Sequence, residues 1–283
     1  MSSAQELVAC IEKLVSLPAA YHRIRQLLDD PDSSTQQMAE AVASDAGMTA
    51  RVLRVVNSVL YGFPGKVETV SRAVTLMGMQ QVHDLVLGSV VVGAFSGIRP
   101  AQTDMLRFWK DGIYRGLLAR AAARRLGIGN PERIFVEGLL ADIGHLVMFQ
   151  VTPEAAAQAR QQSRLSKRPL HEVEQQIIGC HFAEVGAALV SAWQLPGGFA
   201  SAIGAQLTPA LGGAHTTEAA LIHLANQMVA TRDLDAPDED TLDRLDPLSA
   251  IRLEIDLEHL AEIRARAEEE SAAVITLFCP AQG

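Results

Sequence analysis

The stretch LVLGSVVVGAF, Leu85 to Phe95, is apolar on every side, with His83 and Asp84 directly before it. A helix without a polar face has to be buried, and this one is far shorter than the roughly 20 residues that span a bilayer. Helical signals recur at short intervals along the rest of the chain. Residues 1–16 hold an N-terminal helix. Ser33 or Ser34 then caps a helix that carries Met38, Ala41 and Val42 and ends near Gly47. Val52, Leu53, Val56 and Leu60 share the face of a helix stopped by Gly62, and 71–78 and 79–95 form a helix pair.

Residues 108–128 make a long amphipathic helix, and Pro131 opens the next, over 131–150, at the favoured first position. Further helices are expected over 171–179, 181–194, 197–207, 215–230 and 257–270, the last followed by an irregular tail. Aromatic residues are only 5% of the chain while alanine and leucine are plentiful, which favours helices meeting through small residues over sheets. The expected fold is all-α, a compact array of around a dozen short helices with no repeat of fixed period. Residues 208–215 read as a linker and 232–246 as a solvated acidic stretch.

Cys10, Cys180 and Cys279 are scattered and odd in number, which argues against a disulfide framework and fits a reducing cytosol. The N-terminus lacks a basic flank followed by an apolar run, so no secretory signal is expected and the chain reads as cytoplasmic. The net charge of −9 is uneven: residues 233–283 carry 14 acidic and 4 basic groups, the remainder 19 and 20. With no dense basic stripe, neither nucleic acid nor membrane is an expected partner.

Asp142 and His145 stand three apart in GLLADIGH, so on one helix they would be neighbours suited to a metal or a proton relay. His181 is the best third ligand and Asp111 a fourth. The competing reading is a hydrogen-bonded structural pair, with His181 in a helix N-terminal turn. Arg115, four residues after Asp111, is placed to pair with it. Asn57 is expected to bond nearby backbone, Trp109 and Trp193 to anchor packing, and Cys180 to be an inert buried thiol.

Several segments together resemble the HDOD domain, the HD-related output domain of bacterial signalling proteins. They are residues 17–62, with Asn57, Ser58, Tyr61 and Gly62; then 70–91; FWKDGIYRGLLARAAA; FVEGLLADIGHLVMFQ, with Gly138 and Gly144; and HFAEVGAALVSAWQLP, with Trp193 and Pro196. The resemblance runs from about Leu17 to Leu207. It implies an HDOD domain over 17–212, with an HD-like core and additional N-terminal helices, and a helical extension over 213–283. HD phosphohydrolases and HD-GYP phosphodiesterases bind metal through histidines and aspartates. Carried over, those positions fall at Asp111, Ala141, Asp142 and His181, near Gln206 and Leu207, and near Asn226, with His145 at the lysine that often follows the pair. Only Asp142 and His181 keep the ligand type, and a catalytic metal needs about three protein ligands.

The resemblance therefore implies no catalytic residue, no bound metal and no cofactor. It implies a regulatory module acting through contacts with separate sensor, receiver or cyclase chains, with self-association through a helix face left open. In that reading the packing of Leu139, Leu140, Ile143, Leu146 and Val147 is what keeps the 138–145 segment. Two alternatives stand beside it. One is a divergent metal-dependent phosphohydrolase using Asp142, His181, Asp111 and His145. The other is a nucleotide-binding module without hydrolysis, with Lys110, Arg115 and Arg120 as the cations. The acidic segment 233–270 is a candidate partner surface, with a solvated helical face as the competing reading.

Overall fold

The structure, a computed structural model, describes residues 2–11, 15–58, 61–95, 97–98, 100 and 103–278. Among these it is all-α, with seventeen α-helices and one 3-10 helix. Along the chain come α1 (Ala4–Ile11), α2 (Ala19–Asp29), α3 (Thr35–Ala43), α4 (Ala46–Val56), α5 (Val70–Met77) and α6 (Met79–Ala94). Then follow α7 (Met105–Leu126), α8 (Pro131–Leu140), α9 (Ile143–Val151), α10 (Pro153–Ser166), α11 (Leu170–Ile177), α12 (Phe182–Ala192) and α13 (Phe199–Gly204). The 3-10 helix Pro209–His215 leads to α14 (Thr216–Ala230), α15 (Pro237–Arg244), α16 (Pro247–Leu253) and α17 (Leu257–Phe278).

Chain contacts group these into two compact units, residues 1–16 with 97–264, and residues 17–96 with 265–283. In the second unit α6 is buried over every residue from Val82 to Val91, as its uniform apolarity requires. Helices α2, α4 and α5 pack on it. In the first unit α7 lies along α8, α14 along α7, and α12 against α9 and α13. The contact of α7 with α8 is made of backbone: a Cβ on Gly138 would stand 2.9 Å from Gly116 Cα, and one on Gly116 would stand 2.5 Å from the Phe135 carbonyl oxygen.

The caps explain most boundaries. Ser34, not Ser33, caps α3, in a reciprocal box with Gln37. Asn130 caps α8 ahead of Pro131, and Gly127 ends α7 in the left-handed region.

Several expectations are corrected. Among the described residues seventeen α-helices stand where around a dozen were expected. Helix α3 stops at Ala43 and Gly47 lies inside α4, because Asp45 caps a new helix there. Helix α4 ends at Val56, well before Gly62, because Asn57 turns its amide to the Leu53 and Val67 carbonyls; Leu60 lies outside the described residues. The expected linker is the 3-10 helix Pro209–His215, packed on α14. The acidic stretch forms α15, whose Thr241 hydroxyl bonds Thr231 at 2.7 Å. The chain after residue 270 stays helical to Phe278, with Val274 buried.

Candidate functional site

The expected helix 131–150 is two helices, α8 and α9, separated by a turn at Ala141 and Asp142. In an unbroken helix His145 N–H would bond to the Ala141 carbonyl. Here it bonds to the Asp142 carbonyl at 2.9 Å, and the Ala141 carbonyl accepts instead from Gln206 Nε2 at 2.8 Å. A side chain inserted into the helical ladder is a recognised cause of such a break. Asp142 therefore stands at the entrance to α9 rather than on its face, and its carboxylate caps no backbone group. It is paired with Arg115 Nη2 from α7, so Arg115 takes Asp142 as partner and not Asp111.

Arg115 is buried, and its Nε and Nη1 have no protein partner. His145 is boxed in by other contacts. Its ring stacks on Phe182 at 4.2 Å between centroids and on Phe149 at 5.5 Å. Its Nε2 lies 3.0 Å from Glu174 Oε1, close enough for an ion pair but out of line for a hydrogen bond. Its Nδ1 is 3.7 Å from Asp142 Oδ1, beyond hydrogen-bond reach.

The other positions at which the resemblance expects ligands make contacts within the fold. Ala141 is fully buried with Ala202 and Ile222. Gln206, also fully buried, donates to the Ala141 and Ile203 carbonyls and accepts from Asn226 Nδ2 at 2.9 Å. Leu207 ends the turn, residues 205–207, that follows α13. His181 is the N-cap of α12: its Nδ1 accepts from Glu184 N–H at 3.4 Å, and Glu184 accepts from His181 N–H. Asp111 is 43% exposed and lies 3.7 Å from Arg107 on its own helix. Lys110 is exposed, and Arg120 is buried 3.4 Å from Glu132.

His223, on α14 beside this network, donates from Nδ1 to the Gln206 carbonyl at 2.9 Å and accepts at Nε2 from Asp246 N–H at 3.1 Å. Burial lowers its pKa below the ordinary 6.5, and burial lowers that of His171 as well. The folded state therefore favours neutral imidazoles. Their contribution is complete above pH 6.5 and is lost as pH falls below it, because the unfolded chain binds the protons first. The urea midpoint is expected to fall between pH 7 and pH 5, and to fall less in His223→Gln. An identical pH slope in the variant would remove His223 from the account.

The family-motif residues make the following contacts within the fold. Asn57 donates to the Leu53 and Val67 carbonyls and accepts from Val67 N–H, all at 2.7 Å, tying the end of α4 to the chain ten residues on. Ser58 Oγ donates to the Val55 carbonyl at 2.6 Å. Tyr61 stacks on Phe63 with Gly62, at positive φ, between them. Trp193 is buried, with Nε1 donating to the Val15 carbonyl at 3.0 Å. Pro196 accepts from Phe199 N–H in the turn into α13. Cys180 is buried, and burial pushes its thiol up to about 11, so it is no thiolate at neutral pH.

Among the described residues no three His, Cys, Asp or Glu side chains converge as a metal site would require. The donor set fits a metal poorly: one carboxylate is bound by a guanidinium, one histidine caps a helix, and the amides satisfy each other. Two features escaped the sequence reading. One is Arg115 as the partner of Asp142. The other lies in the second unit, where His83, Asp84 and Tyr21 form a buried hydrogen-bonded chain. The adjacent His83–Asp84 pair inside an apolar helix was its visible signal.

Residues 14–209 match the HDOD domain family. The chain belongs to the HDOD family. This HDOD protein is similar, over 98% of its length and 99% of the other chain, to a Shewanella amazonensis protein provisionally named a phosphohydrolase, at 28% identity and a TM-score of 0.78. It shares its fold with an HDOD domain protein of unknown function from Geobacter sulfurreducens, at 21% identity, TM-score 0.69, and coverage of 94% and 97%. A Marinobacter aquaeolei protein provisionally named in signal transduction has the same fold, at 23% identity and TM-score 0.72, with 95% of this chain and 60% of that one covered. Among curated proteins, an uncharacterized protein of Treponema pallidum is 23% identical over 189 residues, which are 66% of this chain and 36% of that relative. The HDOD chain thus spans about a third of the length of that relative.

Proposed function

We propose that this HDOD protein is a non-catalytic output module of a cytoplasmic bacterial signalling pathway, acting by contact with other signalling proteins. A module without chemistry transmits a signal only by binding one state of its partner better than another. The observation that carries the reading is the Arg115–Asp142 pair. The one aspartate retained at the HD-equivalent centre is neutralised by a buried guanidinium, where a hydrolase would need that carboxylate on a metal. Ala141, Gln206 and Asn226 support it: the resemblance puts them where ligands would stand, and they bond or pack to one another and to neighbouring helices. Membership of the HDOD family supports the signalling role.

The test is elemental analysis of protein purified without added metal or chelator, together with Asp142→Asn and His181→Ala, each checked for folding by circular dichroism. The expected result is no stoichiometric manganese, iron or zinc in any of the three, and no manganese-dependent hydrolysis of a phosphodiester. Stoichiometric metal in the parent that is lost in both variants would overturn the proposal in favour of a hydrolase.

A further inference from the structure

Large apolar side chains left in water concentrate on one part of the first unit. Of the eight that stand exposed among the described residues, Leu211, Leu234, Leu248, Ile251 and Leu257 fall between residues 209 and 257. Leu211 and Ile251 are 78% and 76% exposed. Leu211 belongs to the 3-10 helix and Ile251 to α16, two elements that rest on α14 and touch each other. Leu248 and Ile251, three apart, share a face of α16, while Ser249 and Leu253 bury the opposite one. Scattered single leucines are ordinary, but a cluster on adjoining elements marks an interaction surface.

Charge says what kind of partner fits. Residues 233–264 carry 11 acidic groups and 3 basic ones. Of the three arginines, Arg264 is held by Asp238 at 2.9 Å and Arg252 donates to Thr217 at 2.8 Å. Asp246 is spent on capping α16, but Asp243, Glu254, Asp256 and Glu258 are exposed. A second copy meeting this face across a two-fold axis would set the same carboxylates against each other. Phosphate-bearing surfaces meet the same repulsion.

We infer that the face formed by the 3-10 helix and α16 docks a cationic amphipathic helix of a partner protein. Leucine-like side chains of that helix cover Leu211, Leu248 and Ile251, and its lysines or arginines meet the surrounding carboxylates. This rests on the output-module reading and gives that module a partner class. Apolar anchors supply affinity in such helix-in-groove docking, and the charged rim supplies encounter rate and selectivity.

The test is isothermal titration calorimetry of the full chain with a synthetic helical peptide of leucine and lysine, apolar on one face and cationic on the other. Two control peptides are used: one of the same composition in scrambled order, and the leucine–glutamate counterpart. Saturable binding by the first peptide alone is expected, weakening as salt rises. It should fall about tenfold or more in Leu211→Gln/Ile251→Gln. It should lose most of its salt dependence in Asp243→Lys/Glu254→Lys, and hold unchanged in Leu165→Gln. Equal binding of the scrambled peptide would overturn the inference, as would undiminished binding by the leucine variant. A dimer in sedimentation that the leucine variant abolishes would overturn it too, by making the occupant a second copy. All these variants lie on the surface and leave the metal and hydrolysis readouts untouched. A metal-free, non-hydrolysing chain that ignores the peptide therefore sinks this surface alone, whereas stoichiometric metal sinks the output-module reading itself.

Discussion

Gly144→Ala is expected to lower the stability of this protein by about 3 kcal/mol or more, the upper range for overpacking a core. A Cβ at residue 144 would overlap the Phe182 carbonyl oxygen and stand 2.7 Å from Gly186 N and 2.9 Å from Phe182 C. These are backbone atoms of α12, which cannot swing aside as a side-chain tip does. Helix α12 is itself held by α1 and α13, so relief requires moving several helices at once. The control is Gly93→Ala on α6, where an added Cβ meets nothing within 4 Å. There the loss of backbone freedom in the unfolded chain makes the change neutral or stabilising, by up to about 1 kcal/mol. Urea denaturation of both variants checks the prediction, and a Gly144→Ala midpoint equal to the parent's would refute the backbone contact of α9 with α12.

The second large effect is expected at Asp84. Tyr21, His83 and Asp84 are all fully buried. His83 Nδ1 lies 2.9 Å from Asp84 Oδ1, and Tyr21 Oη lies 3.0 Å from His83 Nε2. An ionised carboxylate can only accept, so Nδ1–H donates to Asp84, and Nε2 is left to accept from the Tyr21 hydroxyl. Burial pushes that hydroxyl well above the ordinary tyrosine range, which keeps its proton in place. Gln80 Nε2 also donates to Asp84 Oδ1 at 2.9 Å.

Asp84→Ala strands the buried imidazole N–H, while the exposed Gln80 amide turns to water, and is expected to cost about 1–3 kcal/mol. Tyr21→Phe leaves one ring nitrogen unpaired and is expected to cost about 1–3 kcal/mol. Because the three groups act as one chain, the double variant should lose less than the sum of the singles by at least about 0.5 kcal/mol. Strict additivity in denaturant melts would mean that the three side chains do not form one network.

Particular residues show where sequence reading succeeds and where it stops. Burial of α6 on all sides follows from its apolarity, because no polar face exists to turn outward. The end of α7 and the start of α8 follow from Gly127 and from Asn130 with Pro131, because capping is a matter of a few adjacent residues. The role of Gly144 in close helix approach is likewise readable in its motif. Asn57 was legible as a backbone binder, but not its acceptor at Val67, nor that this bond ends α4.

At the positions where the resemblance expects metal ligands, the chain alone shows Ala141 and Gln206, since an alanine or a glutamine is visible without any structure. It could not show what those positions do instead. Asp142 finds Arg115 27 residues back, and Ala141 finds Gln206 65 residues on. Spacing constrains neighbours within a helical turn, whereas such partners are chosen by which helices pack and at what angle. The tertiary structure therefore decided that Ala141 and Asp142 break a helix, that a guanidinium answers the retained carboxylate, and that Leu211 and Ile251 come from adjoining elements. Local chemistry wrote the helices and their ends; the long-range packing of α7, α8, α13 and α14 made the site what it is.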